Sequence, residues 1–103
     1  MSRSHTVAFD AYVVDTLLPD LTGHDRQPSA FLVWLFLARH AHDTPDRRVT
    51  IALQDIAEGT GLAKRTVQGA ITHLRRRRLL AVTRDTPTSV PHYVPLSPWR
   101  RSP

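Results

Sequence analysis

Apolar residues between positions 53 and 74 recur at the three- and four-residue spacing of helices, in two separate runs. The first run holds Leu53, Ile56 and Ala57, and the second holds Val67, Ala70, Ile71 and Leu74. Residues at this spacing share one face of a helix, so the pattern predicts two short amphipathic helices. We predict the first over residues 52–59 and the second over residues 63–78, with Gly61 in the tight turn between them.

The N-terminal half contains an unbroken apolar run over residues 31–38. It predicts a helix over residues 28–42, because Pro28 suits a first helical position. A helix that is apolar on every side must be buried on more than one side. A shorter helix is predicted over residues 10–18, with Asp10 as a possible N-cap and Pro19 at its end. Its expected apolar side is formed by Tyr12, Val13, Val14 and Leu17. A polar connector is then expected over residues 19–27.

The remaining segments are short and extended. Residues 49–51 and 79–84 have the apolar composition of strands, and the turn-rich sequence DTPTS follows the second of them. Residues 90–96 form another extended stretch, but Pro91 and Pro95 lie within it. Proline donates no ladder hydrogen bond, so this stretch is predicted to be at best an edge strand. An extended basic tail is expected over residues 97–103.

Four short motifs fall where a known fold places them: Ile56-Ala57, Thr60-Gly61-Leu62, Thr66-Val67 and Leu79-Leu80. In these motifs the chain resembles winged helix-turn-helix proteins of the broad MarR and GntR type, and helix-turn-helix domains encoded on plasmids and phages. The resemblance implies a mainly α fold with a small β-hairpin wing, over residues 28–96, and an N-terminal helical extension over residues 1–27. The sequence departs from the pattern at Ala52 and Ala63, where a serine often caps the helix, and at Gly69, which is often basic.

The distribution of charge along the chain is more informative about function than the net charge of +5. Residues 1–62 carry five arginines against eight acidic residues, a balance of −3. Residues 63–103 carry nine basic residues against Asp85 alone, a balance of +8. The positive excess therefore begins at the second amphipathic helix. A concentrated basic surface attracts the phosphates of nucleic acid, although a charge run is often only a solvated face.

Successive residues of a helix are turned by about 100°, so the second helix has a definite outward side. With Val67 inward, that side holds Arg65, Gly69, Thr72 and Arg76. The expected DNA-binding residues are Lys64, Arg65, Thr66, Gln68, Thr72, Arg75, Arg76, Arg77 and Arg84. Gly69 lets the helix approach the bases closely, or it is neutral drift that costs about 1 kcal/mol of helix propensity.

These residues are expected to divide the contacts. Arg65 suits guanine and Gln68 suits adenine or a bridging water, because both lie near the helix N-terminus, which enters the groove most deeply. Phosphate contacts are expected from Lys64, Thr66, Thr72 and Arg76, and on the two flanks from Arg75 and Arg77. Arg84 is expected at the minor groove or a flanking phosphate, with an ion pair to Asp85 as the alternative. Arg78 is expected to turn inward and end the helix.

The sequence gives little support to other kinds of site. It has no cysteine, and His40 and His42 are two residues apart and so do not share a helix face. No serine, histidine and acid grouping and no glycine-rich phosphate loop is present. We therefore expect no catalysis, no cofactor and no metal.

The cellular location is predicted from whether any segment could span a membrane or act as a signal peptide. The longest apolar run, residues 30–38, is far short of the roughly 20 residues of a membrane span. The first residues lack the apolar core of a signal peptide. The expected location is the cytoplasm, associated with the bacterial nucleoid.

The leading hypothesis is sequence-selective binding of double-stranded DNA by a small transcriptional regulator, with the second helix in the major groove. A homodimer is expected through the N-terminal apolar helices, in the region of Phe31, Trp34 and Leu35. Two alternatives remain open: a DNA-binding module for plasmid or phage replication or partition, and a winged-helix module that binds another protein.

Overall fold

Residues 5–100, which the computed structural model describes, form two π-helical segments, three α-helices and three short strands. The π-helical segments are Val13–Leu17 and Asp20–His24. The α-helices are α1 (Pro28–Ala41), α2 (Leu53–Thr60) and α3 (Lys64–Arg76). The strands are β1 (Val49–Thr50), β2 (Leu80–Thr83) and β3 (His92–Pro95). This order of elements is that of a winged helix with an N-terminal helical extension.

The helical structure of the N-terminal extension continues past Pro19, where the sequence predicted the first helix to end. Pro19 has φ −66° and ψ −27°, which are helical values that proline adopts freely, and Asp20–His24 follows directly. Hydrogen bonds in both segments run to residue i−5, as from the Asp25 N–H to the Asp20 carbonyl (2.9 Å). The expected connector is therefore largely helical. Of the expected apolar side, Val13 and Leu17 are buried, whereas Tyr12 and Val14 are exposed.

Helix α1 runs through the centre of the molecule and contacts α2, α3, β1 and β3. Its position explains the apolar run, and the predicted helix is confirmed to within a residue. Phe31 and Trp34 are 6% and 2% exposed, so their rings belong to the protein's own core. The prediction that these two residues supply a dimer contact is therefore wrong, because neighbouring elements of the same chain already cover them. Leu32 is the exposed apolar residue of this helix, at 46%, and Leu35 and Phe36 are half-buried.

Helices α2 and α3 form the predicted pair. Their buried residues are Ile56, Ala57, Val67, Ala70 and Leu74, which are the residues that the helical spacing placed on one face. Gly61 ends α2 with φ +77°, a left-handed conformation in which glycine carries no steric penalty. Its N–H donates to the Ala57 carbonyl at 2.9 Å. Ala52 and Ala63 stand at the N-caps without a side-chain hydrogen bond, so neither helix has a capping side chain.

Helix α3 ends in a Schellman motif. The Leu79 N–H donates to the Leu74 carbonyl (2.8 Å), and the Arg78 N–H donates to the Arg75 carbonyl (3.0 Å). Arg78 takes the left-handed position with φ +59°, where glycine is usual. It ends the helix as expected, but its side chain is exposed rather than turned inward, because the left-handed residue no longer follows the helical wheel.

The sheet is antiparallel with strand order β1-β3-β2, so β3 is its central strand. This corrects the expectation of an edge strand. Pro95 pairs with Leu80 at the last position of β3, and Pro91 lies just before the strand. The prolines lack only the N–H, and the Pro91 carbonyl still accepts a bond from the Ile51 N–H (3.4 Å). Proline at both ends of a four-residue strand therefore leaves pairing on both sides intact.

Residues 97–100 fold back onto the body instead of forming an extended tail, and residues 101–103 of the predicted tail lie outside the described residues. The Trp99 ring stacks on Tyr12 with centroids 4.6 Å apart and lies 5.7 Å from the Trp34 ring. Its indole N–H donates to Oδ2 of Asp10 at 3.2 Å. The segment after the sheet is thus held against the N-terminal extension.

Candidate nucleic-acid interface

Among residues 5–100, no segment covers the outward side of α3. Seven of the nine residues predicted to bind DNA lie on α3 and are exposed: Lys64, Arg65, Thr66, Gln68, Thr72, Arg75 and Arg76. Val67, Ala70 and Leu74 hold the opposite side of the helix in the core. The amphipathic pattern that forms the helix therefore also displays its basic side. A Cβ atom added at Gly69 would meet nothing within 4 Å, so the middle of this surface is open.

At the N-terminal end of α3, the first backbone N–H groups have no partner among residues 5–100. The first N–H groups of a helix have no partner within it, and the Ala63 cap provides none. The helix dipole adds partial positive charge at this end, beside the exposed Lys64 and Arg65. These donors and cations can bind an anionic oxygen without any rearrangement of the helix.

A groove of about 570 Å³ separates α3 from the hairpin between β2 and β3. Gln68, Thr72 and Arg75 line it on the helix side, and Arg84, Ser89 and Val90 line it on the hairpin side. Arg84 donates to the Ser89 carbonyl at 2.9 Å, which holds the guanidinium at the base of the hairpin loop. Asp85 pairs with His92 instead (3.1 Å), so the alternative of an ion pair between Arg84 and Asp85 is wrong.

His92 fixes the hairpin and was missed by the sequence analysis. Its side chain is buried in β3, where one ring nitrogen lies 2.7 Å from the Thr50 hydroxyl and the other 3.1 Å from Asp85. One imidazole thus links β1, β3 and the start of the hairpin loop. The position of His92 in an alternating extended stretch was the available signal, but its partner Thr50 lies 42 positions away.

The C-terminal end of α3 contacts the N-terminal extension through Arg77, its C-cap residue and the eighth of the nine predicted DNA-binding residues. Its guanidinium bonds Asp20 (2.7 Å) and Asp25. Asp25 also accepts a hydrogen bond from Nε2 of His73 at 2.7 Å, and its side chain is 7% exposed. Asp20, Asp25 and His73 were not among the predicted residues, because no local spacing connects residues about 50 positions apart.

The charges of this cluster stabilise one another. Burial raises the pKa of Asp25, but hydrogen bonds from His73, His24 and Arg77 outweigh it and lower that pKa to about 2. The hydrogen bond to Asp20 raises the pKa of Arg77 above its usual value, and Asp25 adds to the effect. Both groups are therefore charged at any physiological pH.

The same cluster contains the described residues whose geometry comes nearest to a metal site. Ligand atoms of Asp20, His24 and Asp25 lie within 4.8 Å of one another. Arg77 already donates to both carboxylates, so a cation occupies the place where a metal ion would bind. We assign the cluster to packing of the extension on α3.

An exposed basic helix beside a hairpin, braced by a second helix across a glycine turn, defines a winged helix-turn-helix DNA-binding protein. The comparison with protein families agrees: residues 27–80, about half of the chain, match the model of the helix-turn-helix domain family, and the chain belongs to that family. Membership supports DNA binding in general. No curated protein and no solved structure matches the chain. Among residues 5–100, no helix has the length and apolar character needed to cross a membrane.

Proposed function

We propose that the protein binds double-stranded DNA sequence-selectively and acts as a small transcriptional regulator in the bacterial cytoplasm. Helix α3 lies in the major groove, with Arg65 and Gln68 near the base edges. The observation that carries the proposal is the exposed outward side of α3, which is basic at both ends and lies next to an open groove. A major groove about 12 Å wide admits one helix of this kind.

Phosphate contacts come from both sides of that groove. Lys64 and Thr66 bind at the positive end of the helix, and Arg75 and Arg76 bind along its last turn. Arg84 binds a flanking phosphate or the minor groove from the hairpin. The open space at Gly69 supports close approach of the helix to the bases.

Two copies acting together would read two half-sites, and α1 provides the surface for this arrangement. Leu32, Leu35 and Phe36 border a shallow apolar hollow of about 260 Å³. Light scattering at micromolar concentration tests the dimer, with Leu32→Glu as the variant that should yield monomer. A wild-type protein that is strictly monomeric contradicts the dimer but not DNA binding.

Fluorescence anisotropy with labelled genomic fragments, across 50–200 mM salt, tests the main proposal. We expect the logarithm of affinity to fall linearly with the logarithm of salt concentration, because each neutralised phosphate releases counterions. Selection of bound fragments from a random DNA pool should then yield one enriched motif. The proposal fails if no binding occurs at 50 mM salt. A stoichiometric protein partner without salt-sensitive DNA binding would support a protein-interaction module instead.

A further inference from the structure

The basic residues at the end of α3 have different surroundings. Arg75 and Arg76 are exposed, and within the described residues neither forms an ion pair with a carboxylate. Arg77 is half-buried, and both ends of its guanidinium are bonded, one to Asp20 and the other to Asp25. The sequence assigned a phosphate contact to each of these three arginines, whereas the fold separates Arg77 from the other two.

The carboxylates of Asp20 and Asp25 present anionic oxygens to Arg77, as a phosphate group would. A guanidinium binds two anionic oxygens through parallel N–H groups, and carboxylate and phosphate compete for that geometry. Asp20, Asp25 and Arg77 together carry a formal net charge of −1. Arg77 therefore adds no net positive charge to this flank of α3.

We propose that Asp20 and Asp25 end the DNA-binding surface of α3 at Arg76, by occupying Arg77 in place of phosphate. This inference rests on the proposed function. Arg77 is then a positioning residue that fixes α3 on the N-terminal extension. DNA contacts then cover the outward side of α3 and the opposite flank, where Arg75 lines the groove toward the hairpin.

The salt dependence of binding distinguishes a positioning arginine from one that contacts phosphate. Each phosphate contact contributes about 0.9 to the slope of log affinity against log salt, which is about 3.5-fold in affinity between 50 and 200 mM. A residue that only supports the fold lowers affinity without changing the slope. The slope should be measured on a random-sequence duplex, so that base contacts do not contribute.

Arg77→Gln and Arg75→Gln form a matched pair, because both remove one charge two residues apart. We expect Arg75→Gln to reduce the slope by about 0.9, and Arg77→Gln to leave it unchanged while lowering the thermal midpoint. Arg77→Lys, which keeps the charge and one ion pair, serves if the glutamine variant does not fold, and should also keep the wild-type slope. An Arg77 variant that loses as much slope as Arg75→Gln overturns the inference.

Removing the competing carboxylate tests the same idea in the other direction. Asp20 is about one-third exposed and is the less buried of the two acids. In Asp20→Asn we expect affinity for random duplex at 50 mM salt to rise about two- to fourfold, as Arg77 becomes available to phosphate. The control is Asp15→Asn, an exposed acid of the same extension, which should raise affinity less.

The possible failures are separable. A wild-type protein that shows no salt-dependent DNA binding refutes the proposed function and this inference with it. A wild-type protein that binds, with Asp20→Asn no tighter than Asp15→Asn, refutes the inference alone.

Discussion

Asp25 and His73 are 48 positions apart, yet Oδ2 of the aspartate lies 2.7 Å from Nε2 of the histidine. The contact joins the end of the N-terminal extension to the last turn of α3. Together with Arg77 it supports α3 on the side away from the hairpin, while α1 and α2 support its buried face. The extension is therefore part of the frame that orients α3.

Acid should unfold the protein partly through Asp25. Its pKa is about 2 in the folded protein against 3.8 for an unperturbed side chain, so the folded state favours the carboxylate. The resulting stability is complete above pH 3.8 and is lost as the pH falls through 2. We expect Asp25→Asn to lower the free energy of unfolding at pH 7 by about 1.5–3 kcal/mol, because bonds to charged partners are weakened.

Urea denaturation at pH 7, 4 and 2.5 measures this effect. The difference between wild type and Asp25→Asn should shrink as the pH falls, because the unfolded wild-type chain takes up a proton at Asp25 before the folded protein does. Asp15→Asn, at an exposed position, is the control and should change stability little. A difference that stays constant over the three pH values would contradict the assigned ion-pair role.

Arg78→Gly should stabilise the fold. Arg78 has φ +59° at the end of α3, where a side chain is strained and glycine is not. We expect a gain of about 0.5–1 kcal/mol, or roughly 2–8 °C in thermal midpoint. Arg76→Gly removes the same charge inside the helix and should cost about 1 kcal/mol. If both variants move the midpoint in the same direction, the left-handed conformation is not the cause.

Two glycines should respond oppositely to alanine. In Gly69→Ala the added Cβ meets open space, so the variant should gain about 0.5–1 kcal/mol of helix propensity. In Gly59→Ala the Cβ would overlap Cε1 of Phe36 and lie 2.6 Å from its Cζ, so the ring must shift. Overpacking costs about 1–3 kcal/mol, which outweighs the same propensity gain.

Thermal melts followed by circular dichroism should place Gly69→Ala above the wild type and Gly59→Ala below it. The Gly69 variant also tests the two readings of that residue. Unchanged DNA affinity favours neutral drift, and a loss confined to the selected motif favours close approach to the bases.

Arg65→Ala and Arg75→Ala should weaken DNA binding in different ways. We expect Arg65→Ala to reduce the preference for the selected motif by about 1–3 kcal/mol, because a bidentate contact to guanine is lost. Arg75→Ala should weaken all sequences alike and lower the salt slope by about 0.9. Competition between the motif and random duplex measures both effects. Equal loss of preference in the two variants would refute the division between base and phosphate contacts.

Apolar spacing located α2 and α3 to within about two residues, because each buries the face that its spacing defines, and the apolar run after Pro28 located α1. The left-handed glycine at position 61 was also predictable, since it separates two such faces. The prediction at Pro19 was wrong because proline was taken to end the first helix, whereas the φ of Pro19 is itself helical. Each of these features is determined by residues that are close together in the sequence.

Other features depend on distant partners and left no local signal. The sequence shows that α1 is apolar all round, but not that the chain itself covers Phe31 and Trp34. The prolines in residues 90–96 predicted an edge, although their positions at the ends of β3 permit pairing on both sides. Arg77 could be separated from its neighbours only once the fold placed Asp20 and Asp25 beside it.

The strand order β1-β3-β2 determines which elements can form first while the chain is being synthesised. β1 has no strand to pair with until residues 92–95 have left the ribosome, because its partner is the last strand to be made. The helix pair can form earlier, since its contacts are local. A nascent chain that ends before His92 should therefore form α3, but it should lack the pairing of β3 with β1 and β2.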